Sequence, residues 1–449
     1  MVKKKKSDDL VYVRLTEEEF KQKIVNNQNS IWKPKLLCYH ENIKTNSWFK
    51  LHETNKKHKS IFTGKITTDT LNPVKYKSKQ VTLHLTCTQK NIINSWLNLY
   101  AKMYNETIKH IKNHYKYEEN RDINILNYYN LRSTLFEKKH EICINSNIGI
   151  NDIDYAIKEA NTNYTNALVK KKKGLIKGFR IRYWRSKKKI KTMSIAKSSF
   201  SKKGFKFKVL GFVKATYNGK NYNLSDINCD SKLQCKNGKY YLYIPQNLST
   251  MLKPMKVIEN TKDTVISLDP GTRTFMTGIS ENTKVDIGTN VSSVIKRYLK
   301  RKDKILNNDD ISSSIKKKNE LMINRKIFNK VIDLHWKSIS YLTRNFNNIL
   351  IGNLSSKGIT AKGQKMNKLN KRISIALSFY KFREKLKYKC TVKKVNYAVV
   401  HEWLTSKLCS CCGNKKEDLG SNKIYSCIKC GLDIDRDVNG ARNILFKAM

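Results

Sequence analysis

Five of the eleven cysteines crowd into one stretch: Cys409, Cys411, Cys412, Cys427 and Cys430. Cys409-x-x-Cys412-Gly413 and Cys427-x-x-Cys430-Gly431 are matching knuckles with 14 residues between them. That is close to the spacing of a Cys₄ zinc ribbon, where each turn brings two thiolates to one tetrahedral Zn²⁺ and the glycine permits the tight backbone beneath. Cys411 does not reproduce the downstream knuckle and reads as a spare thiol. The other six cysteines are scattered, and the opening Met1-Val2-Lys3-Lys4-Lys5-Lys6 has no apolar leader. A disulfide framework is therefore not expected.

A second chemistry lies in the carboxylates. Asp269 ends the apolar run Thr264 to Leu268 and precedes Pro270-Gly271, at the C-terminal tip of an expected strand. Packing explains a carboxylate there poorly. Past the second knuckle comes Asp433-Ile434-Asp435-Arg436-Asp437-Val438-Asn439-Gly440-Ala441-Arg442-Asn443-Ile444. Asp437 can head a short helix with Ala441, Ile444 and Leu445 inward, and a plain N-cap is the competing reading. A nuclease that uses two divalent ions about 3.5–4 Å apart needs three or four such groups converging from separate elements.

The elements around these residues read in blocks. Thr16-Glu17-Glu18-Glu19 is a capping box opening a short helix within an accessory region, 1–78. Val81 to Leu85 alternates as a strand, and Thr88 can cap a helix carrying Ile92, Trp96, Leu97, Tyr100, Tyr104, Ile108 and Ile111. From Phe179 to Pro245 short alternating runs sit between turns such as Asn237-Gly238. A small barrel of 79–87 and 179–255, interrupted by a helical insertion over 88–178, accounts for the isolated upstream strand. After 256, strand pairs and then alternating helices and strands describe an α/β layer domain: a long helix over about 292–346, a strand at 349–351, a helix at about 368–388 and a strand at 391–395. The fold class expected is multidomain α+β.

Charge constrains the partner. The 449 residues carry 90 Lys+Arg against 36 Asp+Glu, a net +54. A hydrophobic share of 39% is enough for real cores, so full disorder is excluded. No run of about 18 apolar residues is present, and no membrane partner is expected. So large a positive charge calls for a polyanion, and counterion release makes nucleic acid the fitting one. Part of the Lys excess can reflect AT-rich coding. The blocks Lys3–Lys6, Lys170–Lys173, Lys187–Lys189 and Lys316–Lys318 each read first as solvated faces. Phe179-Arg180-Ile181-Arg182-Tyr183-Trp184-Arg185 suits stacking plus charge on a nucleic acid, or a strand edge of the barrel.

Together the strand ending Leu268-Asp269-Pro270-Gly271, the phrase Thr405-Ser406-Lys407-Leu408-Cys409-Ser410-x-Cys412-Gly413, the second knuckle and Asp435-Arg436-Asp437-Val438-Asn439-Gly440-Ala441-Arg442-Asn443-Ile444 resemble the RuvC-like nuclease domain of the TnpB family and its eukaryotic and giant-viral Fanzor counterparts. The resemblance is specific over about 260–449 and architectural upstream. It implies an RNase H-like (RuvC) domain over 256–404, a zinc ribbon over 405–432, a C-terminal RuvC segment over 433–449, and a β-barrel wedge with a helical recognition insertion. It further implies a monomeric ribonucleoprotein that binds a guide RNA from its own element, reads a short motif and cuts double-stranded DNA with Mg²⁺. The host compartment implied is a nucleus, to which Lys3–Lys6 could address the chain, or the cytoplasm or nucleoid in a prokaryote.

Matched residue by residue, Asp269 is the first RuvC carboxylate and Asp437 the third, with Asp435 not the principal ligand. The middle one departs from the pattern. Family members usually carry Glu in Ile-x-x-Glu-Asn/Asp-Leu; here Ile349-Leu350-Ile351-Gly352-Asn353-Leu354 has glycine in its place. Either the enzyme is dead or another carboxylate fills the gap. Glu402, just before the zinc ribbon, is the best substitute, as in Fanzor-like rearranged sites; Asp286 and Asp333 are weaker. Competing readings are an RNA-guided binder that does not cut, a transposase or its accessory, and a structural RNA-binding zinc-ribbon protein.

Overall fold

The computed structural model describes residues 15–27, 48–53, 76–114, 126–185, 190–247, 263–280, 283–354, 367–418 and 422–449. The Lys3–Lys6 and Lys187–Lys189 blocks lie outside them. The described residues fall into two compact units, one within 75–253 and the other within 4–74 and 254–449.

In the 75–253 unit a six-stranded antiparallel sheet runs in the order Ile190–Ile195, Ser231–Lys236, Lys239–Asn247, Tyr76–His84, Lys214–Tyr217, Lys220–Asn221. Its two end strands pair with no further described strand, so backbone hydrogen bonding leaves the expected barrel open. The helical insertion keeps the expected stripe with two corrections. Thr86 rather than Thr88 caps the first helix, exchanging bonds with Gln89 at 3.0 and 3.3 Å, and Ile93 rather than Ile92 is buried. Helix Cys87–His114 buries Trp96, Leu97, Tyr100, Tyr104, Ile108 and Ile111 on one stripe, against helix Ile150–Lys172. Phe179–Arg185 is an irregular strap on this unit rather than a strand. Trp184 stacks on Tyr104 at 4.8 Å and exchanges backbone bonds with the Asn105 amide, while Lys112 donates to the Ile181 carbonyl. Apolar Phe179, Ile181 and Trp184 thus turn toward the helices, and Arg180, Arg182 and Arg185 stand exposed. With Lys112, the strap lines an open cavity of about 1200 Å³.

The second unit is built on another six-stranded sheet, ordered Phe49–Glu53, Thr283–Ile287, Met276–Ser280, Asp263–Pro270, Phe346–Gly352, Asn396–Val400. The three strands from Asp263–Pro270 to Asn396–Val400 are mutually parallel, and the rest are antiparallel. Alternation along each strand separates two cores. Ile266, Leu268, Val285, Ile287, Ile349 and Ile351 face helices Val291–Leu306, Ser313–Asn345, Lys368–Leu377 and Phe379–Lys393. Val265, Ile279, Leu350, Ala398 and Val400 face the C-terminal helix Arg436–Ala448 and the N-terminal helix Glu17–Asn27.

Several elements differ from expectation. The helix read over about 292–346 is two, Val291–Leu306 and Ser313–Asn345, and the one read over about 368–388 is two, Lys368–Leu377 and Phe379–Lys393. The region read as accessory supplies this unit with an edge strand, Phe49–Glu53, and a helix whose Phe20 and Ile24 are fully buried. The capping box forms as read: Thr16 and Glu19 exchange side chain-to-backbone bonds at 2.8 and 3.2 Å. Finally, 391–393 ends a helix, and the strand begins at Asn396, because Phe379, Phe382, Leu386 and Cys390 hold a helical stripe to that point.

Candidate metal and nuclease site

The period-2 alternation fixes which side chains meet. Leu268 faces the layer of long helices, so Asp269 faces the C-terminal helix. Leu268 pairs with Ile351 across the parallel ladder, which sets Gly352 beside Asp269 on that face. Antiparallel pairing puts Asp269 opposite Thr277, and Thr277 opposite Asp286. One row across the sheet therefore reads Gly352, Asp269, Thr277, Asp286.

Glu402 reaches this row from the loop after the last strand. A Cβ built on Gly352 would collide with Glu402 Oε1 and lie 2.8 Å from its Cγ and Cδ. The glutamate carboxylate thus occupies the volume that any side chain at 352 would take. It is held there by three bonds: the Leu354 N–H donates to Glu402 Oε1 at 3.0 Å, the Glu402 N–H to Asn353 Oδ1 at 3.2 Å, and the Asn353 N–H to the Val400 carbonyl at 3.0 Å. Burial pushes the Glu402 carboxyl up to about 7, against the opposing pull of the Leu354 N–H, Arg383 and Lys447.

The C-terminal helix brings the third group. Asp435, not Asp437, is its N-cap, accepting the N–H groups of Asp437 at 2.9 Å and Val438 at 3.4 Å. The capping duty is met one turn-start earlier, and the Asp437 carboxylate is left for the site. Gly440, on the next turn, is packed so closely that a Cβ there would collide with Asp269 Oδ2. Burial, then Glu402 and Asp437, hold the Asp269 carboxyl well above its ordinary range. Burial and Asp435 raise Asp437, while Arg436 and Arg273 oppose. Asp286 also acts on Asp437, so register brings it to the site although sequence gave no reason to place it there. It is engaged by the Thr277 hydroxyl at 3.1 Å and by Lys284 at 3.5 Å. Asp333 lies elsewhere, accepting from Trp48 Nε1 at 2.7 Å and paired with Lys337.

The four knuckle cysteines come together, all Sγ atoms within 4.8 Å of one another. Cys409–Cys430 and Cys412–Cys427 stand at 3.6 and 3.5 Å, near the roughly 3.8 Å edge of a tetrahedron with 2.3 Å metal–sulfur bonds. Gly413 and Gly431 adopt φ of +70° and +66°, where an L side chain would be strained. The group could hold a metal ion. Cys411 stays outside it, its N–H on Cys409 Sγ at 3.4 Å. Sequence reasoning missed what ties this ribbon to the carboxylates. Buried Asn439 accepts from the Ser410 N–H at 2.9 Å and donates to the Leu408 carbonyl at 2.8 Å, and buried Asn443 donates to the Thr405 and Leu408 carbonyls at 2.8 Å. Two asparagines four residues apart beside Asp437 were the available signal.

Asp269 on a strand, Glu402 on a loop and Asp437 on a helix, with an adjoining thiol cluster that could hold a metal, stand on one mixed α/β unit. The Cas12f1-like TNB domain model matches residues 379–444. The TnpB-like protein L79 of Acanthamoeba polyphaga mimivirus is 32% identical over 389 residues, spanning 82% of this chain and 72% of that one. A Streptomyces pristinaespiralis protein named "Putative RNA-guided DNA endonuclease" is 32% identical over 124 residues, 27% of this chain and 30% of that one. The solved mini-RNA-guided endonuclease CRISPR-Cas_phi3 aligns over 86% of this chain and 93% of its own, at 10% identity and a TM-score of 0.42. The chain belongs to the TnpB-like family. Among the described residues no helix is long and apolar enough to cross a membrane.

Proposed function

We propose that this chain is an RNA-guided DNA endonuclease, with residues 256–404 and 433–449 forming a RuvC-like, RNase H-type nuclease domain. One observation carries the reading: Glu402 occupies the volume vacated at Gly352, beside Asp269, and so supplies from a loop the carboxylate the strand lacks. The donor set fits hard divalent cations, being three carboxylates each raised by burial, with Glu402 and Asp437 also raising Asp269. Asp269, Glu402 and Asp437 would hold two Mg²⁺ ions, which would supply an activated water and stabilisation of the leaving 3′ oxygen. The chain's own part is rigid placement. The Leu354 N–H fixes one Glu402 oxygen, Gly440 lets the helix backbone approach Asp269, and the Asp435 cap frees Asp437.

Zn²⁺ is the metal proposed for Cys409, Cys412, Cys427 and Cys430, in a structural role. The wedge and recognition parts, 79–87 with 179–255 and 88–178, would grip guide RNA and target. The exposed Arg180, Arg182 and Arg185 on the apolar-anchored strap suit a phosphate backbone. Sequence choice would then rest with base pairing to the guide. The relative named for RNA-guided DNA cleavage supports this assignment of partners.

The test is purified chain with its copurified RNA, given matching double-stranded DNA in Mg²⁺: site-specific double-strand cuts are expected. Binding without cuts would instead establish the non-cleaving binder, the reading that Gly352 motivates. The two neighbouring aspartates give a sharper contrast. Asp437→Asn should abolish cleavage, whereas Asp435→Asn, which keeps a cap acceptor, should cost under about 1 kcal/mol of stability and retain cutting. Equal loss in both would remove Asp437 from its special place. For the ribbon, stoichiometric zinc release by a chelator should lower the melting temperature, and Cys427→Ser should bind less than one equivalent; Cys411→Ser should keep full zinc. A zinc content unmoved by Cys427→Ser would exclude the four-thiol site.

A further inference from the structure

Lys447 is only 3% exposed in the last turn of the C-terminal helix. A buried ammonium costs several kcal/mol unless its donors are met. Its Nζ donates to the His401 carbonyl at 3.0 Å and to the Trp403 carbonyl, the two residues that flank Glu402. It lies 4.3 Å from the centre of the Phe20 ring, and 6.0 Å from that of Trp403. Phe20 belongs to the N-terminal helix, whose Lys23 in turn donates to the Lys447 carbonyl at 3.4 Å. The negative end of the C-terminal helix adds to the stabilisation of the charge.

We propose that Lys447, clasped by Phe20 of the N-terminal helix, is a positioning residue that fixes the 401–403 loop and so presents Glu402 against Gly352. Two carbonyls two residues apart can share one ammonium only if the loop curls about it, and that curl turns the residue between them toward the sheet. The N-terminal helix thus completes the support of a carboxylate nearly 400 positions away in the chain. This rests on the reading of Glu402 as a site carboxylate for its consequence in cleavage, and its structural content is separately measurable.

The Leu354 amide reports directly, because its proton is held by Glu402. Hydrogen exchange on the full chain, without nucleic acid, should show that amide at least about tenfold faster in Lys447→Met than in wild type, matching a Glu402→Ala control. Amides of the Asp263–Pro270 strand should be unchanged, and Lys447→Arg, which keeps charge and donors, should restore protection. Cleavage, where wild type cuts, should fall with the same ranking. A folded Lys447→Met with wild-type exchange at Leu354 overturns the proposal. Should that variant not fold, Phe20→Leu decides: several-fold faster Leu354 exchange is expected, and an unchanged rate overturns it. If Leu354 responds while wild type cuts nothing, the nuclease reading fails and the clasp stands.

Discussion

Glu402→Gln is expected to lower target cleavage by well over a hundredfold, since losing even an outer-sphere partner of a metal ligand costs about 10–100-fold. With guide and target contacts assigned to the wedge and recognition parts as proposed, their binding should be unaffected. The same substitution should stabilise the chain when chelator is present. In the folded chain the Glu402 carboxyl is pushed up to about 7 from an ordinary 4.5, chiefly by burial. The folded state therefore binds more protons than the unfolded state between those values, and stability falls as pH rises through that window. The penalty is fully present above pH 7 and absent below about 4.5. Glutamine carries no charge, and its Oε1 can still accept the Leu354 N–H. Thermal melting in chelator should show the variant above wild type at pH 8, by on the order of 1–3 kcal/mol, with the gap closing by pH 4.5. A gap independent of pH would mean that the Glu402 carboxyl titrates alike in the folded and unfolded chain, with no burial penalty. Full cleavage by the variant would sink the rearranged-site idea outright.

Asp269 and Asp437 were legible because their types are wrong for their local surroundings: a carboxylate at the tip of an apolar strand, and one more aspartate than a helix start needs. The two knuckles were legible because thiol spacing is a short-range geometry that the sequence writes directly. Glu402 was visible only through the gap at Gly352; nothing local to His401-Glu402-Trp403 marks it. What stayed hidden depends on long-range register. Asp286 joins the row of Asp269 only through two antiparallel ladders. Phe20 meets Lys447 only once two helices are stacked on one sheet face. The strand read at 391–395 shows the opposite failure: the helical stripe ending at Cys390 carries the helix on through the β-branched Thr391-Val392 pair. Tertiary packing decided that competition.

Moving the glutamate back onto the strand should restore what removing it destroys. Gly352→Glu alone is expected to be inactive, because its Cβ enters the volume of Glu402 Cγ and Cδ. The overpacking should cost about 1–3 kcal/mol, with like-charge repulsion added. Glu402→Ala alone is also expected to be inactive, leaving the Leu354 N–H without its carboxylate. Combining the two empties the volume from one side and fills it from the other. Gly352 sits on the site face, one residue past the Ile351–Leu268 pair, so a glutamate there projects toward Asp269 from a rigid strand. The double variant should recover cleavage to within about tenfold of wild type, a non-additivity of several kcal/mol between contacting residues. A double variant no more active than Glu402→Ala, with its fold intact by melting, would show that the loop supplies something beyond the position of a carboxylate.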